Sequence, residues 1–154
     1  MNMLRILAAL LLALSPALPA HARQPLEQAV ADAAPGATVR VPAGVHAVHL
    51  KLDKPVTLLG EPGAILDGGG SGDVVRIAAA NVTVRGLTVR RSGTDLTAMN
   101  AGIFVERRAR EVTLEGNRIE ESLFGVYLDG AANVRVAHNV IRGMRSLRVA
   151  DRGD

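Results

Sequence analysis

Apolar and polar residues alternate in three similar nine-residue stretches, 82–90, 112–120 and 134–142, and a shorter copy precedes them at 56–60. Each copy begins with a valine, and successive copies begin 26, 30 and 22 positions apart. Alternation with a period of two predicts half-buried β-strands rather than helices. Repeats of about 20–50 residues are typical of solenoid proteins. The pattern therefore predicts one coil of a solenoid for each copy.

A second series of short apolar strands lies between these copies, at 75–77, 103–105 and 126–128. Because successive copies keep the same order of apolar and polar positions, they stack as parallel coils around continuous apolar columns. The repeats predict two interior columns, formed by Val84, Leu114 and Val136 and by Ile77, Val105 and Leu128. The expected fold is therefore all-β, a right-handed single-stranded parallel β-helix.

Two neighbouring positions after the first strand of a coil carry residues that suit a tight corner. The first position is Gly86, then Gly116, then His138. Glycine adopts positive φ freely, and histidine tolerates it better than most residues. The second position becomes Asn117 and then Asn139, whose amides can hydrogen-bond from coil to coil when they are stacked. We therefore expect a left-handed backbone conformation and an asparagine ladder at this corner.

The two ends of the chain differ from the repeats. Residues 1–22 have a basic start, an apolar run too short to span a bilayer and a small-residue cleavage pattern, which together predict a secretory signal peptide. Residues 23–36 predict a short helix with Leu26 and Val30 on one face, placed to cap the first coil. Residues 37–154 form the coils. Because the last repeat stops before its second strand, we expect the chain to be the N-terminal, C-terminally truncated part of a longer β-helix.

The predicted signal peptide and the composition limit the cellular compartments and the classes of partner that are compatible with the sequence. A signal peptide predicts export, most simply to a bacterial periplasm. The chain has no cysteine, which excludes disulfides and thiolate metal sites. Without Arg5 of the signal, 17 basic residues face 15 acidic ones. Arginine and glutamate alternate along outward strand positions, which indicates a solvated face, and the scarcity of aromatic residues argues against nucleic acid as a partner.

No catalytic constellation is evident in the repeats. Glycoside hydrolysis requires two converging carboxylates. The candidate carboxylates instead lie on separate coils, as Asp67, Asp73, Asp95, Glu106 and Asp129. Glycines follow Asp67, so this segment predicts a tight corner. Glu106 and Asp129 share a column, which is compatible either with a divalent cation between them or with two solvated carboxylates.

Soft metal ligands occur outside the predicted strands. Met99 lies in a polar insertion, 92–100, and Met144 lies in a second connecting loop, and both loops are expected to project outward. His138 occupies a corner. Thioether and imidazole ligands suit copper in an oxidising compartment that offers no cysteine. These three residues are therefore the candidate copper ligands, for transient contact only, and the alternative is that they are ordinary loop and corner residues.

Two further side-chain pairs can be interpreted from the strand pattern. His46 and His49 are three residues apart in an extended segment, so they point to opposite faces and are poor co-ligands. Phe104 and Tyr127 share an outward column below Arg76. Stacked aromatic rings of this kind form either a sugar-binding platform or a stabilising pair.

The order of the segments resembles a known family. The resemblance rests on PGATVRVPAGV at 35–45, KPVTLLG at 54–60, ILDGGG at 65–70, AGIFVE at 101–106, LFGVYL at 123–128 and DRGD at 151–154. Together they closely resemble the N-terminal half of the NosD family, periplasmic maturation factors of nitrous-oxide reductase. The resemblance implies β-helix repeats of the carbohydrate-binding and sugar-hydrolase type without catalysis. It also implies docking on an ATP-driven membrane transporter of the ABC type and cooperation with copper-delivery proteins.

Three functions are compatible with the sequence. The first is a NosD-like, non-catalytic factor for copper-site assembly, with transient copper and no resident cofactor. The second is a polysaccharide lyase, epimerase or carbohydrate-binding β-helix, which would require a basic proton acceptor and acidic calcium ligands on one coil face. The third is a plain scaffold solenoid.

Overall fold

The structure, a computed structural model, describes residues 25–145. Within this range the chain forms one short helix followed by successive coils of a parallel β-solenoid. The predicted signal peptide and the chain after Arg145 lie outside the described residues. No helix of the described range combines the length and the apolar character needed to cross a bilayer.

The elements follow one another coil by coil. The helix α1 (Leu26–Asp32) comes first. The first two coils consist of β1 (Thr38–Val41), β2 (Gly44–Ala47), β3 (Leu50–Leu52), β4 (Thr57–Gly60), β5 (Ala64–Asp67) and β6 (Val75–Ile77). The next two consist of β7 (Thr83–Arg85), β8 (Thr88–Arg90), β9 (Ala101–Val105), β10 (Arg110–Glu115), β11 (Arg118–Ser122) and β12 (Phe124–Leu128). The last described coil contains β13 (Ala132–Ala137) and β14 (Val140–Gly143).

Equivalent strands of successive coils pair in parallel and form three sheets. Sheet A has the order β1-β4-β7-β10-β13, sheet B has the order β14-β11-β8-β5-β2, and sheet C has the order β12-β9-β6-β3. Each complete coil therefore crosses all three sheets, and within residues 25–145 no two strands adjacent along the chain pair as a hairpin. The predicted parallel β-helix architecture is confirmed.

The register stacks side chains into the predicted columns. Val84 pairs with Leu114, which pairs with Val136, and in sheet C Ile77 pairs with Val105, which pairs with Leu128. In the central coils these side chains are fully buried. Because parallel strands lie about 4.8 Å apart, each column forms a continuous aliphatic stack along the solenoid. The interior contains most of the large aliphatic residues of the described chain, and their burial supplies the hydrophobic stabilisation.

The last described coil departs from the prediction that Val136 is interior. The side chains of Val136 and Leu128 are each 43% exposed, and Ile141 is 44% exposed. They occupy the correct columns, but no described coil lies on their outer side. The repeats therefore predicted correctly in which column each of these side chains is stacked. They did not predict whether the side chain is buried.

The helix α1 lies against the first coil, as predicted. It packs on β1 and β3, and its side chains Leu26 and Val30 are buried. Ala29 and Ala33 pack against the same core, so the predicted apolar face is the one that is covered. The helix is shorter than predicted. The residue before a proline is biased away from helical geometry, which here is Ala34 before Pro35. Ala33 already has an extended ψ of 135°.

The corner between sheets A and B has the predicted conformation. Gly86, Gly116 and His138 have φ values of 70°, 64° and 55°. The Asn117 side chain donates to Asn139 Oδ1 at 3.1 Å, and its own Oδ1 accepts the Leu87 N–H at 3.1 Å. The asparagine ladder therefore satisfies backbone groups that would otherwise be buried without a partner.

Candidate functional site at the loop edge

The edge between sheets B and C has the longest connections in the described chain. We call it the loop edge: residues 68–74 of the second coil, 91–100 of the third, Leu123 of the fourth and 144–145 of the last. A cavity of about 530 Å³ opens there. Its walls include Arg91, Ser92, Glu121, Arg142 and Met144.

Asp95 organises the insertion at 91–100. Its Oδ1 accepts the N–H groups of Thr97 at 2.8 Å and Ala98 at 3.1 Å. The Asp95 N–H donates to Asn100 Oδ1 at 3.2 Å, and the Asn100 N–H donates to the Asp95 carbonyl at 3.1 Å. Side chains that bond to nearby backbone in this way fix a loop without regular secondary structure. The insertion therefore forms a closed, defined wall beside the cavity.

Buried polar contacts anchor the first residues of the insertion. Ser92 is fully buried, and its Oγ accepts the Leu123 N–H at 3.0 Å from the next coil. The Gly93 N–H donates to the Gly72 carbonyl at 2.7 Å, and a Cβ at Gly93 would lie 2.6 Å from the Gly72 nitrogen. The close approach of the two backbone segments therefore requires glycine at position 93. Nothing in the sequence marks Ser92 as a buried residue, because a serine in a polar segment is ordinarily exposed.

Asp67, the last residue of β5 directly before the loop edge, is buried, with 5% of its surface exposed. Its Oδ2 accepts Arg90 Nε at 2.8 Å and lies 3.4 Å from Arg91 Nη1, while Oδ1 accepts the Gly69 N–H at 2.9 Å. Burial alone would raise the pKa of Asp67. The Gly69 hydrogen bond and the two guanidinium groups outweigh it and hold the pKa below the ordinary value.

The sequence identified the corner at Asp67 but missed its partner. Asp67 and Arg90 are neighbours in the register of β5 and β8. Their pairing could have been found by extending the column alignment to outward positions. It explains the carboxylate as a structural ion pair rather than as a catalytic acid.

The cavity carries charges of both signs, and within the described residues Arg142, Arg145 and Glu121 form no ion pair. Arg91 and Glu121 both line the cavity, and both have positive φ values, 59° and 50°. Residues other than glycine in this region cost about 1–2 kcal/mol each. The cavity therefore has a charged rim and two backbone positions in an energetically costly conformation.

The three candidate copper ligands occupy different places. Met144 lines the cavity, and its side chain is 9% exposed, so the expectation that it projects outward is wrong. Met99 lies half-buried in the insertion, and His138 is exposed at the corner between sheets A and B; neither lines the cavity. Across the described residues, no three His, Asp or Glu side chains gather into a metal-binding group.

The histidines near the first coil have separate partners. His46 Nε2 lies 2.8 Å from the Pro42 carbonyl oxygen. His49 Nδ1 lies 2.7 Å from the Asp73 carbonyl oxygen, and its Nε2 lies 3.4 Å from Ser71 Oγ. The two rings thus contact different corners and share no ligand position, in agreement with the strand pattern.

Glu106 and Asp129, the predicted carboxylate column, pair with arginines. Glu106 contacts Arg76 at 3.4 Å and Arg108 at 3.0 Å. Asp129 contacts Arg107 at 3.3 Å. Positive partners occupy the positions that a divalent cation would need, so these contacts favour the solvated interpretation.

The outward aromatic column on sheet C is a closed stack. The Arg76 guanidinium carbon lies 4.0 Å from the Phe104 ring centroid, and the Tyr127 ring stacks on the other side at 5.1 Å. Both faces of Phe104 are therefore covered, and its side chain is 8% exposed. A sugar platform requires an open ring face, so the contacts favour the stabilising pair.

The fold and this surface define the chain as a parallel β-helix protein with a closed aliphatic interior and its polar features on the outside. No family model matches the sequence. Crystal structures of pectin methylesterase with bound hexasaccharides are similar in fold, with TM-scores of 0.55 at 14% and 15% identity. The match covers 73% of this chain and 44–45% of those chains. At this identity the likeness concerns the fold alone.

Sequence relatives identify the family. The chain is 38% identical over 112 residues to a protein of Pseudomonas aeruginosa strain PAO1, named "Probable ABC transporter binding protein NosD". It is 36% identical over 115 residues to a protein of the same name from Stutzerimonas stutzeri. These matches cover 73% and 75% of this chain and 26% of each relative. Over the matched residues the chain belongs to the NosD family, and it spans about a quarter of the length of these relatives.

Proposed function

We propose that the chain is part of a periplasmic accessory protein that works with an ABC-type transporter to assemble the copper site of nitrous-oxide reductase. The observation that carries the proposal is the 38% identity over 112 residues to a protein named as a transporter-binding NosD. The predicted signal peptide at residues 1–22 supports the periplasm as the compartment.

In this proposal the β-helix acts as a rigid docking body and copper is a cargo. Parallel coils with an aliphatic interior form a surface that changes little on binding, which favours recognition by protein partners. Copper contacts are transient and involve thioether or imidazole groups, with Met144 at the cavity and Met99 and His138 outside it as candidates. A transporter and copper-delivery proteins are the partners.

Deletion of the whole gene tests the proposal. The deletion strain should export nitrous-oxide reductase that lacks its catalytic copper, and its nitrous-oxide consumption should fall. Complementation with the intact gene should restore both the copper content of the purified enzyme and the consumption. A deletion strain with normal copper loading would contradict the proposal and favour a plain scaffold.

Side-chain variants of the same gene test the copper contact separately. Met144→Leu preserves the volume and apolar character of the buried side chain but removes the sulfur. If Met144 contacts the cargo, the copper content of the reductase should fall, while His49→Gln, a histidine outside the candidate set, should leave it unchanged. Unchanged loading in Met144→Leu, Met99→Leu and His138→Gln would exclude these ligands without affecting the family role.

A further inference from the structure

The glycine-rich turn after β5 brings a serine against a histidine of the preceding coil. Ser71 Oγ lies 3.4 Å from His49 Nε2, and its second acceptor is the Gly68 carbonyl oxygen, also at 3.4 Å. The contact follows from the stacking of the first two coils, since β2 pairs with β5 and β3 with β6. Both residues are exposed. A hydroxyl beside an imidazole nitrogen is the arrangement of a nucleophile and its general base.

A backbone contact determines which nitrogen of the imidazole carries the proton. His49 Nδ1 lies 2.7 Å from the Asp73 carbonyl oxygen. Because a carbonyl oxygen only accepts, Nδ1 donates, and the neutral ring therefore has its lone pair on Nε2, the atom next to Ser71. Asp73 is itself held in place, since its side chain accepts the Ala101 N–H at 2.9 Å and pairs with Arg76. The ring is thus oriented as a base, with the third group that such pairs require.

The turn around Ser71 leaves room for a small molecule. Gly69 and Gly70 have φ values of 65° and 84°, and a Cβ at either position would meet nothing within 4 Å. A cavity of about 470 Å³ opens beside the turn, and its walls include both members of the pair, Val48 and Glu27 of α1. The Glu27 carboxylate disfavours an anionic ligand, whereas the glycine backbone and Val48 suit a short, uncharged one.

We propose that Ser71 is a nucleophile activated by His49, and that the pair hydrolyses short, uncharged carboxylic esters. His49 Nε2 takes the hydroxyl proton as Ser71 Oγ bonds to the carbonyl carbon. The proton passes to the leaving alkoxide as the ester C–O bond breaks, which leaves an acyl-serine. Water, deprotonated by His49, then displaces Ser71 and releases the carboxylic acid. Contacts between nucleophile and base are commonly longer before a ligand binds, so 3.4 Å is compatible with this role.

The proposed activity is separate from the copper role. Neither Ser71 nor His49 belongs to the candidate copper ligands, and the loss of one function leaves the other testable.

A biotinylated fluorophosphonate is a suitable probe of the purified full chain. An activated serine bonds to its phosphorus, fluoride leaves, and the base takes the proton. Among the described serines, Ser92 and Ser122 are buried, so the label is expected on Ser71, where peptide mass spectrometry can locate it. Urea-denatured chain and the Ser71→Ala variant should react about a hundredfold more slowly. Hydrolysis of p-nitrophenyl acetate should fall to the background rate in Ser71→Ala.

Chemical rescue separates a base from a structural histidine. His49→Ala should slow labelling about a hundredfold, and added imidazole should restore part of the rate, which a purely structural role would not allow. His46→Ala, the matched control whose ring contacts the Pro42 carbonyl instead, should label like the wild type. Circular dichroism checks that each variant is folded. The proposal is overturned by a folded chain that labels no faster than the denatured one, by a His49→Ala rate equal to wild type or unaffected by imidazole, or by ester hydrolysis unchanged in Ser71→Ala.

Discussion

The first and last described coils are built from the same columns, but they differ in what lies against them. In the first coil Val39 and Leu52, which begin the columns that end in Val136 and Leu128, are buried, and α1 covers β1 and β3. In the last coil, equivalent columns end in side chains that are more than two-fifths exposed. The repeat therefore specifies how coils stack, whereas a separate, non-repeating element determines whether the end of a column is buried.

This difference predicts unequal effects within one column, and the largest effect is expected at its centre. Leu114→Ala removes a fully buried side chain between Val84 and Val136, and it should lower the free energy of unfolding by about 2–5 kcal/mol. Val136→Ala, in the same column but in the last described coil, should cost about 1 kcal/mol or less. Urea denaturation of both variants measures the two losses in the free energy of unfolding. Equal losses would show that Val136 is buried in solution.

Removal of the cap should have the next largest effect. Leu26→Ala deletes a buried contact between α1 and the first coil, so we expect a loss of about 2 kcal/mol and increased exposure of the first strands. Gln28→Ala, on the exposed side of the same helix, should cost a few tenths. Hydrogen exchange of β1 amides checks the mechanism. Unchanged protection in Leu26→Ala would mean that the first coil does not depend on its cap.

The asparagine ladder allows a smaller version of the same comparison. Asn117 is buried and bonds to groups of the coils on both sides, whereas Asn139 is half-buried in the last described coil. Asn117→Ala leaves the Leu87 N–H without a partner and should cost about 1–2 kcal/mol. For Asn139→Ala, water can replace part of the lost bonding, so a smaller loss is expected. Thermal unfolding compares the stability losses of the two variants. A larger loss for Asn139→Ala than for Asn117→Ala would contradict the role of the ladder.

Asp67 gives the smallest effect and a pH dependence. Its pKa in the folded chain lies below the ordinary value of 3.8, so the carboxylate contributes stability above that value and loses it as the pH falls through the folded pKa. Asp67→Asn should therefore cost about 1 kcal/mol near neutral pH. The difference in the free energy of unfolding between wild type and variant should disappear at acidic pH. Asp129→Asn, a more exposed acid, controls for the loss of one charge, and a gap independent of pH would refute the assignment.

Sequence alone predicted the coil architecture because the relevant information is local and repeated. Val84, Leu114 and Val136 recur at equivalent positions, and parallel register follows from aligning them. The corner at His138 was predictable for the same reason, since its equivalents are glycines.

The candidate site was less predictable because it depends on contacts that do not repeat. Ser92 occurs once, and only the folded chain shows that it bonds to Leu123. Met144 has the sequence context of an outward loop, yet the cavity wall buries it. The ion pair between Asp67 and Arg90 joins residues far apart in sequence, and it follows only from the register of outward positions.

The loop edge also has a consequence for how the chain can be altered. Connections from sheet B to sheet C range from the single residue Leu123 to the ten-residue insertion at 91–100, yet β6, β9 and β12 remain in register. Because the insertion is closed by its own bonds to Asp95, its length is decoupled from the interior. The segment around Thr97 is thus a natural graft point, where a foreign peptide could be displayed without shifting the coils. A single-residue insertion inside a strand would instead turn apolar side chains outward.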